Sequence, residues 1–342
     1  MSLLAPDSPG LPSRALHGII CVEIGTLFFV AQDAMMKSML GLYPIWTLIF
    51  ARSVMSVLVL LPLVVLLGGP HRLLTPLWHL HLARAALFAT GFSLFYAAFP
   101  FMGLAEVTTI FFAAPLITAL MAALWLRETI GPHRMGALVV GFAGVLIAMN
   151  PAGEAFSWIA ILPLLCAVTY AASQIIARKI GDRETTLTVG LYTLGFSGLM
   201  ILPMGWGVNQ IIAIPPDYAH LTWSWPSAPL QDLPALALLG LCGMGGYLFL
   251  SRAYQVANAS LVAPFDYSYL PFATVLAYIL WDEVPGFNTV IGMTLIVVSG
   301  LYIGYRELRA YRHSDTPAPV AETVFLPGSP LPQQIPDEED AR

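Results

Sequence analysis

Charged residues and cysteines are both scarce in this 342-residue sequence. Asp, Glu, Lys and Arg together make up 10% of it, whereas a soluble domain carries about 25%. Because a water-facing surface needs more charge than this, the composition excludes an ordinary soluble globular protein. The basic residues form no long cluster, so nucleic acid is not an expected partner. Hydrophobic residues make up 58% of the chain, which indicates that the lipid bilayer is its solvent.

The sequence also lacks the motifs of common catalytic and metal sites. Its three cysteines (Cys21, Cys166 and Cys242) lie in apolar runs without CxxC spacing, as expected of small buried hydrophobes. HExxH, GxGD and the phosphate-binding GxxxxGK[ST] motif do not occur. We therefore expect no enzymatic activity, no cofactor and no bound metal, and any transport would be driven by solute or proton gradients.

Ten apolar runs are long enough to cross a bilayer, which takes about 20 residues. They cover residues 16–36, 44–67, 82–102, 104–126, 132–149, 157–178, 186–208, 233–255, 260–281 and 286–305. The longest connection, residues 209–232, is rich in aromatic residues and is predicted to lie at the membrane interface. The sequence thus predicts an all-α membrane protein with ten transmembrane helices.

Lys and Arg residues fall mostly on one side of this arrangement. With a cytoplasmic N-terminus, Lys37 lies outside and Arg52 lies within a helix, while 13 of the 15 cations lie inside. These 13 are Arg14, Arg72, Arg84, Arg127, Arg134, Arg178, Lys179, Arg183, Arg252, Arg306, Arg309, Arg312 and Arg342. Because Lys and Arg are retained on the cytoplasmic side, both termini are predicted to be cytoplasmic, in a bacterial-type inner membrane.

The two ends of the chain differ from the apolar body. Residues 1–15 are polar and proline-rich, and residues 313–342 combine prolines with an acidic run at 337–340. Such segments cannot bury a core. We predict that both are disordered cytoplasmic tails.

Short patterns recur in the same order in residues 16–150 and 157–305. The first and sixth helices each end with a polar residue four positions before a cation (Asp33 and Lys37, Gln174 and Arg178). The fourth and ninth helices end in Leu126-Arg127-Glu128 and Trp281-Asp282-Glu283, and each following helix has two glycines eight residues apart. Since five helices per copy is an odd number, the second copy would enter the membrane inverted, as is typical of transporters.

This pattern resembles the EamA-type family of the drug/metabolite transporter superfamily. The resemblance is carried by residues 33–37, 50–53, 126–128, 259–267 and 281–285, and it covers about residues 16–305. It implies two inverted five-helix repeats that carry a small organic metabolite by alternating access, in a monomer or homodimer. The ninth helix is most similar to that of members that move riboflavin-like or S-adenosylmethionine-like solutes. Export of amino acids or amphiphiles is the alternative, and a membrane receptor or scaffold is the alternative class.

Arg52 is the most informative candidate for the site. It lies eight residues into the second predicted helix, roughly 12 Å from its outer end. Arginine inside a membrane usually faces a cavity or a partner. Arg52 would either bind an anionic group of the substrate with its planar donor fork or form a fixed ion pair with Asp33 or Glu23; the two roles are compatible.

Prolines inside two of the predicted helices indicate where a central site would lie. Pro115 in the fourth helix and Pro264 and Pro271 in the ninth predict breaks at matching positions of the two repeats, and such breaks mark transporter sites. Asp266, with Tyr267 and Tyr269 beside it, would bind a cation or the coupling proton there. Its alternative role is a carboxylate that only accepts bonds from nearby amides.

Six further residues complete the prediction. Glu23 is a second candidate proton carrier, and Asp33 with Lys37 forms either a local salt bridge or an outer gate. Gln174, Tyr96 and Tyr170 are candidates for hydrogen bonds and aromatic walls around the substrate, although most membrane tyrosines serve packing or the interface.

Overall fold

The computed structural model describes residues 11–68, 73, 75–125, 131–150, 158–180, 184–225, 229–256 and 262–311. In these ranges the chain is helical and contains no strand. The helices are α1 (Leu11–Met39), α2 (Ile45–Leu63), α3 (Trp78–Ala97), α4 (Leu104–Phe111), α5 (Ala114–Trp125), α6 (Pro132–Met149), α7 (Ile161–Ile180), α8 (Thr186–Ile211), α9 (Leu233–Val256), α10 (Tyr269–Trp281) and α11 (Phe287–Tyr311). The predicted C-terminal tail and the segments 126–128 and 259–261 lie outside the described residues.

Nine spans in the described part of the chain are long and apolar enough to cross a membrane. One of them, Leu104–Ala122, combines α4 with most of α5. The prediction of an all-α membrane protein is therefore confirmed. The predicted ninth helix is not a single α-helix: a 3-10 segment, Ala263–Ser268, leads into the 13 residues of α10.

Both predicted break regions interrupt regular helix. α4 ends at Phe111, and α5 begins at Ala114, directly before Pro115. Pro264 lies in the first turn of the 3-10 segment, and Pro271 lies in the first turn of α10. Proline lacks a backbone N–H and is best tolerated in the first turn of a helix, although α8 continues through Pro203. The interruptions at Pro115, Pro264 and Pro271 agree with the prediction.

Helices of the first half pack mainly on helices of the second. α1 packs on α9, α3 on α7, α2 on α8 and α6 on α11. The interrupted segments also meet, because α10 contacts α4. The two halves therefore share one core, and side chains at their interface are screened from lipid.

Glycines allow the closest of these approaches. A Cβ on Gly144 of α6 would lie 2.9 Å from the carbonyl oxygen of Gly292 on α11. Across α9, a Cβ on Gly246 would lie 2.9 Å from the Phe29 ring, and one on Gly243 would overlap Gln32. Gly136, one of the paired glycines of the repeat pattern, faces open space. Close packing through small residues therefore occurs at Gly144 and not at Gly136.

Two helices begin earlier than the apolar runs suggest. α1 starts at Leu11, and α3 starts at Trp78 rather than at residue 82. His81 and Arg84 consequently lie inside α3, where both are buried. The prediction that placed Arg84 in a cytoplasmic segment was wrong, because the polar side chains of this turn face protein and not water.

The close approach of α6 and α11 predicts a stability difference between two glycines of one helix. We expect Gly144→Leu to lower the melting temperature, because overpacking a tight contact costs about 1–3 kcal/mol. Gly136→Leu, on the same helix, should leave it unchanged. Thermal unfolding of the purified variants in detergent measures both, and equal melting temperatures would contradict this packing.

Candidate functional site

A buried carboxylate, Asp33 of α1, is the centre of the largest polar cluster described here. Its side chain is fully buried. The hydroxyl of Tyr96 donates to its Oδ1 at 3.0 Å, and Gln32 Nε2 donates to the same oxygen at 3.2 Å. The hydroxyl of Tyr269 donates to Oδ2. Three elements, α1, α3 and α10, therefore meet at one carboxylate, and they come from both halves of the chain.

Arg52 of α2 joins this cluster through tyrosine. Its Nη1 donates to the Tyr96 hydroxyl at 2.8 Å, and Tyr96 in turn donates to Asp33. The predicted direct ion pair of Arg52 with Asp33 or Glu23 is absent from the described residues. The Nε and Nη2 atoms of Arg52 are buried and have no acceptor there. Two donors of a rigid fork thus remain available to a ligand.

An aromatic layer borders this cluster. The Arg52 guanidinium lies 5.5 Å from the ring centres of both Phe92 and Tyr96, which favours the cation electrostatically. Phe92 contacts Tyr170 edge to face at 6.2 Å, and Phe111 contacts Tyr170 at 5.4 Å. These rings form a buried apolar layer beside the polar cluster.

A second polar group lies on the other side of the aromatic layer. Gln174 of α7 donates from Nε2 to the Tyr170 hydroxyl at 2.9 Å and accepts from Arg84 Nη2 at 3.4 Å. Arg84 Nη1 also donates to the hydroxyl of Thr193 on α8 at 2.6 Å. Gln174 and Tyr170 were predicted as site residues, and the structure brings them together. Arg84 was not predicted as a site residue, because it was counted among the cytoplasmic cations.

One end of the bundle, called here the Lys37 end, is closed by an ion pair. Lys37 of α1 pairs with Glu283, which follows α10. Lys37 also donates to the carbonyl of Met102 at 3.1 Å, and Glu283 accepts from the backbone N–H of Leu104 at 3.0 Å. The expected local salt bridge between Asp33 and Lys37 is not formed, because Asp33 turns inward to the tyrosines.

A cavity of about 720 Å³ opens at the Lys37 end. Lys37, Glu283, Trp281, Glu106 and His220 are among its lining residues. Burial lowers the pKa of His220, so its imidazole is neutral at pH 7. The cavity is a vestibule that both members of the Lys37–Glu283 pair help to line.

The opposite end, called here the His81 end, has its own contact between the halves. His81 Nε2 lies 2.8 Å from a carboxylate oxygen of Glu184, which precedes α8. Thr75, ahead of α3, donates to the other oxygen of Glu184. Tyr192 of α8 stacks on the His81 ring at 4.9 Å. The contact of His81 with Glu184 could not be predicted, because the two residues lie 103 positions apart in the chain.

The other predicted residues lie around the interrupted segments. Asp266 is fully buried on the 3-10 segment, and Tyr267 packs its ring 5.8 Å from Phe112 at the break between α4 and α5. Glu23 is half-buried on α1 and lies near Ser268. The hydrogen-bonded cluster in the described part of the chain centres on Asp33. No group of three His, Cys, Asp or Glu in the described residues is placed to hold a metal ion.

Curated proteins similar to this chain are transporters. An S-adenosylmethionine uptake transporter of Rickettsia prowazekii is 27% identical, over 86% of this chain and 95% of that protein. A riboflavin transporter of Rhizobium johnstonii is 27% identical, over 88% and 95%. The pseudopaline exporter CntI of Pseudomonas aeruginosa is 25% identical, over 82% and 94%. One solved crystal structure has the same fold with a TM-score of 0.56, at 17% identity over 89% of this chain and 100% of that one.

The helices and these relatives together define a multi-pass membrane transporter. The model of the EamA-like transporter family matches residues 16–150 and matches again over residues 157–305. The chain therefore belongs to the EamA-like transporter family.

The tyrosine between Arg52 and Asp33 supports a stability prediction. Tyr96→Phe keeps the ring but removes the hydroxyl, which leaves two buried charged groups short of a partner. We expect the variant to lose about 1–3 kcal/mol of stability, seen as a lower melting temperature in detergent. Tyr278→Phe is the matched control, because that side chain is 57% exposed on α10. A Tyr96→Phe protein as stable as wild type would show that the bridge is unimportant.

Proposed function

We propose that this protein is a secondary active transporter that moves a small organic metabolite across the cytoplasmic membrane by alternating access. The observation that carries the proposal is the buried polar cluster of Arg52, Asp33, Tyr96 and Tyr269 at the interface of the two halves. Charged groups inside a membrane protein mark substrate or ion pathways. The names of the relatives agree with a small organic cargo.

The pairing of helices supports an arrangement of ten helices in two inverted repeats. If α1 corresponds to α7 and α3 to α9, the contact of α1 with α9 is equivalent to that of α7 with α3. The contacts of α2 with α8 and of α6 with α11 then lie on the symmetry axis. Two halves related in this way can exchange conformations and expose one site to either side. Ala263–Trp281 would be the additional span that brings the nine described above to ten, and it is the ninth in chain order.

The Lys37 end would face the outside and the His81 end the cytoplasm. Exposed Lys179 and Arg252 lie toward the His81 end, which agrees with retention of cations in the cytoplasm. Both termini are then cytoplasmic. In the described residues, an ion pair at the Lys37 end and a histidine–carboxylate hydrogen bond at the His81 end cross between the halves, so each contact is placed to break when its end opens.

Asp33 is the carboxylate best placed to carry a coupling proton. It is shared between α1, α3 and α10, and its donors are tyrosines and an amide rather than a cation in direct contact. A proton on Asp33 would weaken the bonds that hold α10 to α1, since a neutral acid accepts less strongly than a carboxylate. Protonation would thereby favour the movement of one half against the other.

Direction of transport follows the gradients and is open to both import and export. The relatives include an uptake transporter and an exporter. The test is solute exchange by purified protein in proteoliposomes, with S-adenosylmethionine, riboflavin, amino acids and quaternary amines offered separately. Exchange of at least one class is expected. A protein that exchanges none of them, while intact and reconstituted, would argue for a receptor or scaffold.

Removing Arg52 should stop transport without preventing membrane insertion. We expect Arg52→Ala to reduce exchange of the transported solute by roughly a hundredfold or more, because two charged hydrogen bonds of about 1.5 kcal/mol or more each are lost. Lys179→Ala removes an exposed cation and should leave exchange unchanged. Initial rates normalised to protein in the vesicles measure the effect. Normal exchange by Arg52→Ala would remove Arg52 from the site.

A further inference from the structure

Arg84 is a second buried arginine, and its surroundings differ from those of Arg52. Its side chain is 6% exposed, and it lies 12 residues before Tyr96 on α3, about 18 Å along the helix axis. Nη1 is held by Thr193 and Nη2 by Gln174. Nε is buried and has no acceptor in the described residues. The guanidinium is thus fixed in place, with a donor left over.

None of the carboxylates in the described ranges pairs with Arg84. The acid–base contacts found there join Lys37 to Glu283 and His81 to Glu184. Arg52, in contrast, is linked through Tyr96 to the carboxylate of Asp33. A cation buried within a membrane protein is costly unless a negative group accompanies it. Among the described residues, such a group lies near Arg52, and none contacts Arg84 directly.

The neighbours of Arg84 indicate what kind of molecule would supply it. Gln174 links the guanidinium to the hydroxyl of Tyr170, and the Tyr170 ring packs against Phe111 and Phe92. The planar fork of arginine matches a carboxylate in two-point contact. A carboxylate on Arg84 would therefore place the rest of its molecule against the aromatic layer.

We propose that Arg84, positioned by Gln174 and Thr193, binds the carboxylate group of the transported solute. The inference rests on the proposed function and narrows the cargo to carboxylates with an apolar or aromatic part. His81 lies one turn before Arg84 on α3 and pairs with Glu184. The carboxylate would thus be bound directly inside the contact that closes the His81 end.

The test compares ligands that differ only in the carboxylate. Full-length protein in nanodiscs is titrated with two pairs: S-adenosylmethionine against its decarboxylated form, and L-phenylalanine against phenethylamine. Wild type, Arg84→Gln and Arg84→Lys are compared, with Arg252→Gln as control because Arg252 is exposed. The dissociation constant of each ligand is measured by calorimetry.

We expect Arg84→Gln to weaken the carboxylate member of the bound pair by about tenfold or more, the usual loss of a charged bidentate contact. The dissociation constant of the decarboxylated member should change less than about twofold, because that ligand has no carboxylate for Arg84 to bind. Arg84→Lys keeps the charge without the planar fork, so its dissociation constant for the carboxylate ligand should lie between those of wild type and Arg84→Gln. This variant keeps the test valid if Arg84→Gln folds poorly. The Arg252→Gln control should bind both members as wild type does.

If Arg84→Gln weakens the binding of both members of a pair equally, Arg84 has a structural role and the proposal is overturned. Unchanged binding of the carboxylate member would also overturn it. If neither carboxylate binds but riboflavin is exchanged by the same protein in proteoliposomes, the carboxylate site is wrong and the transport function stands. If no solute is exchanged, the transport function itself fails, and the carboxylate site fails with it.

Discussion

Charge that is buried within the bilayer has to be compensated inside the protein, and the hydrogen-bonded carboxylate of Asp33 is where this chain meets that requirement. Its donors, Tyr96 and Tyr269, come from opposite halves of the sequence. The carboxylate therefore stays buried only while the two halves remain packed together. Arg52 adds a positive charge through Tyr96, so the cluster combines opposite charges without a direct ion pair. A link of this kind can be rearranged by one proton or by one ligand.

Packing at the edges of the bundle explains how such a link could move without unfolding the protein. Gly144 and Gly292 bring α6 and α11 into backbone contact, and the interrupted segments before α5 and α10 lie next to the polar cluster. Rigid helices that meet through small residues can slide, and interrupted helices can bend. The Lys37–Glu283 and His81–Glu184 contacts join the halves at the two ends. Fold and site thus depend on the same contacts between halves.

Sequence alone predicts the parts that depend on long apolar runs and on isolated polar residues within them. Arg52 and Asp33 were found because each interrupts such a run, and proline marked the breaks at Pro115 and Pro264. Arg84 and His81 were missed because several polar residues near the start of α3 resemble a loop. The partner of Lys37 could not be predicted either, since Glu283 is 246 residues away and only tertiary packing brings them together.

The most direct test of alternating access is a pair of distances measured in one protein. Spin labels at the exposed positions Leu42 and Val284 report on the Lys37 end, and labels at Leu66 and Lys179 report on the His81 end. Pulsed electron spin resonance in nanodiscs, with and without the transported solute, gives both distance distributions. Alternating access predicts reciprocal changes, with one distance lengthening as the other shortens. Distances that lengthen together, or that stay fixed while the protein transports its solute, would contradict it.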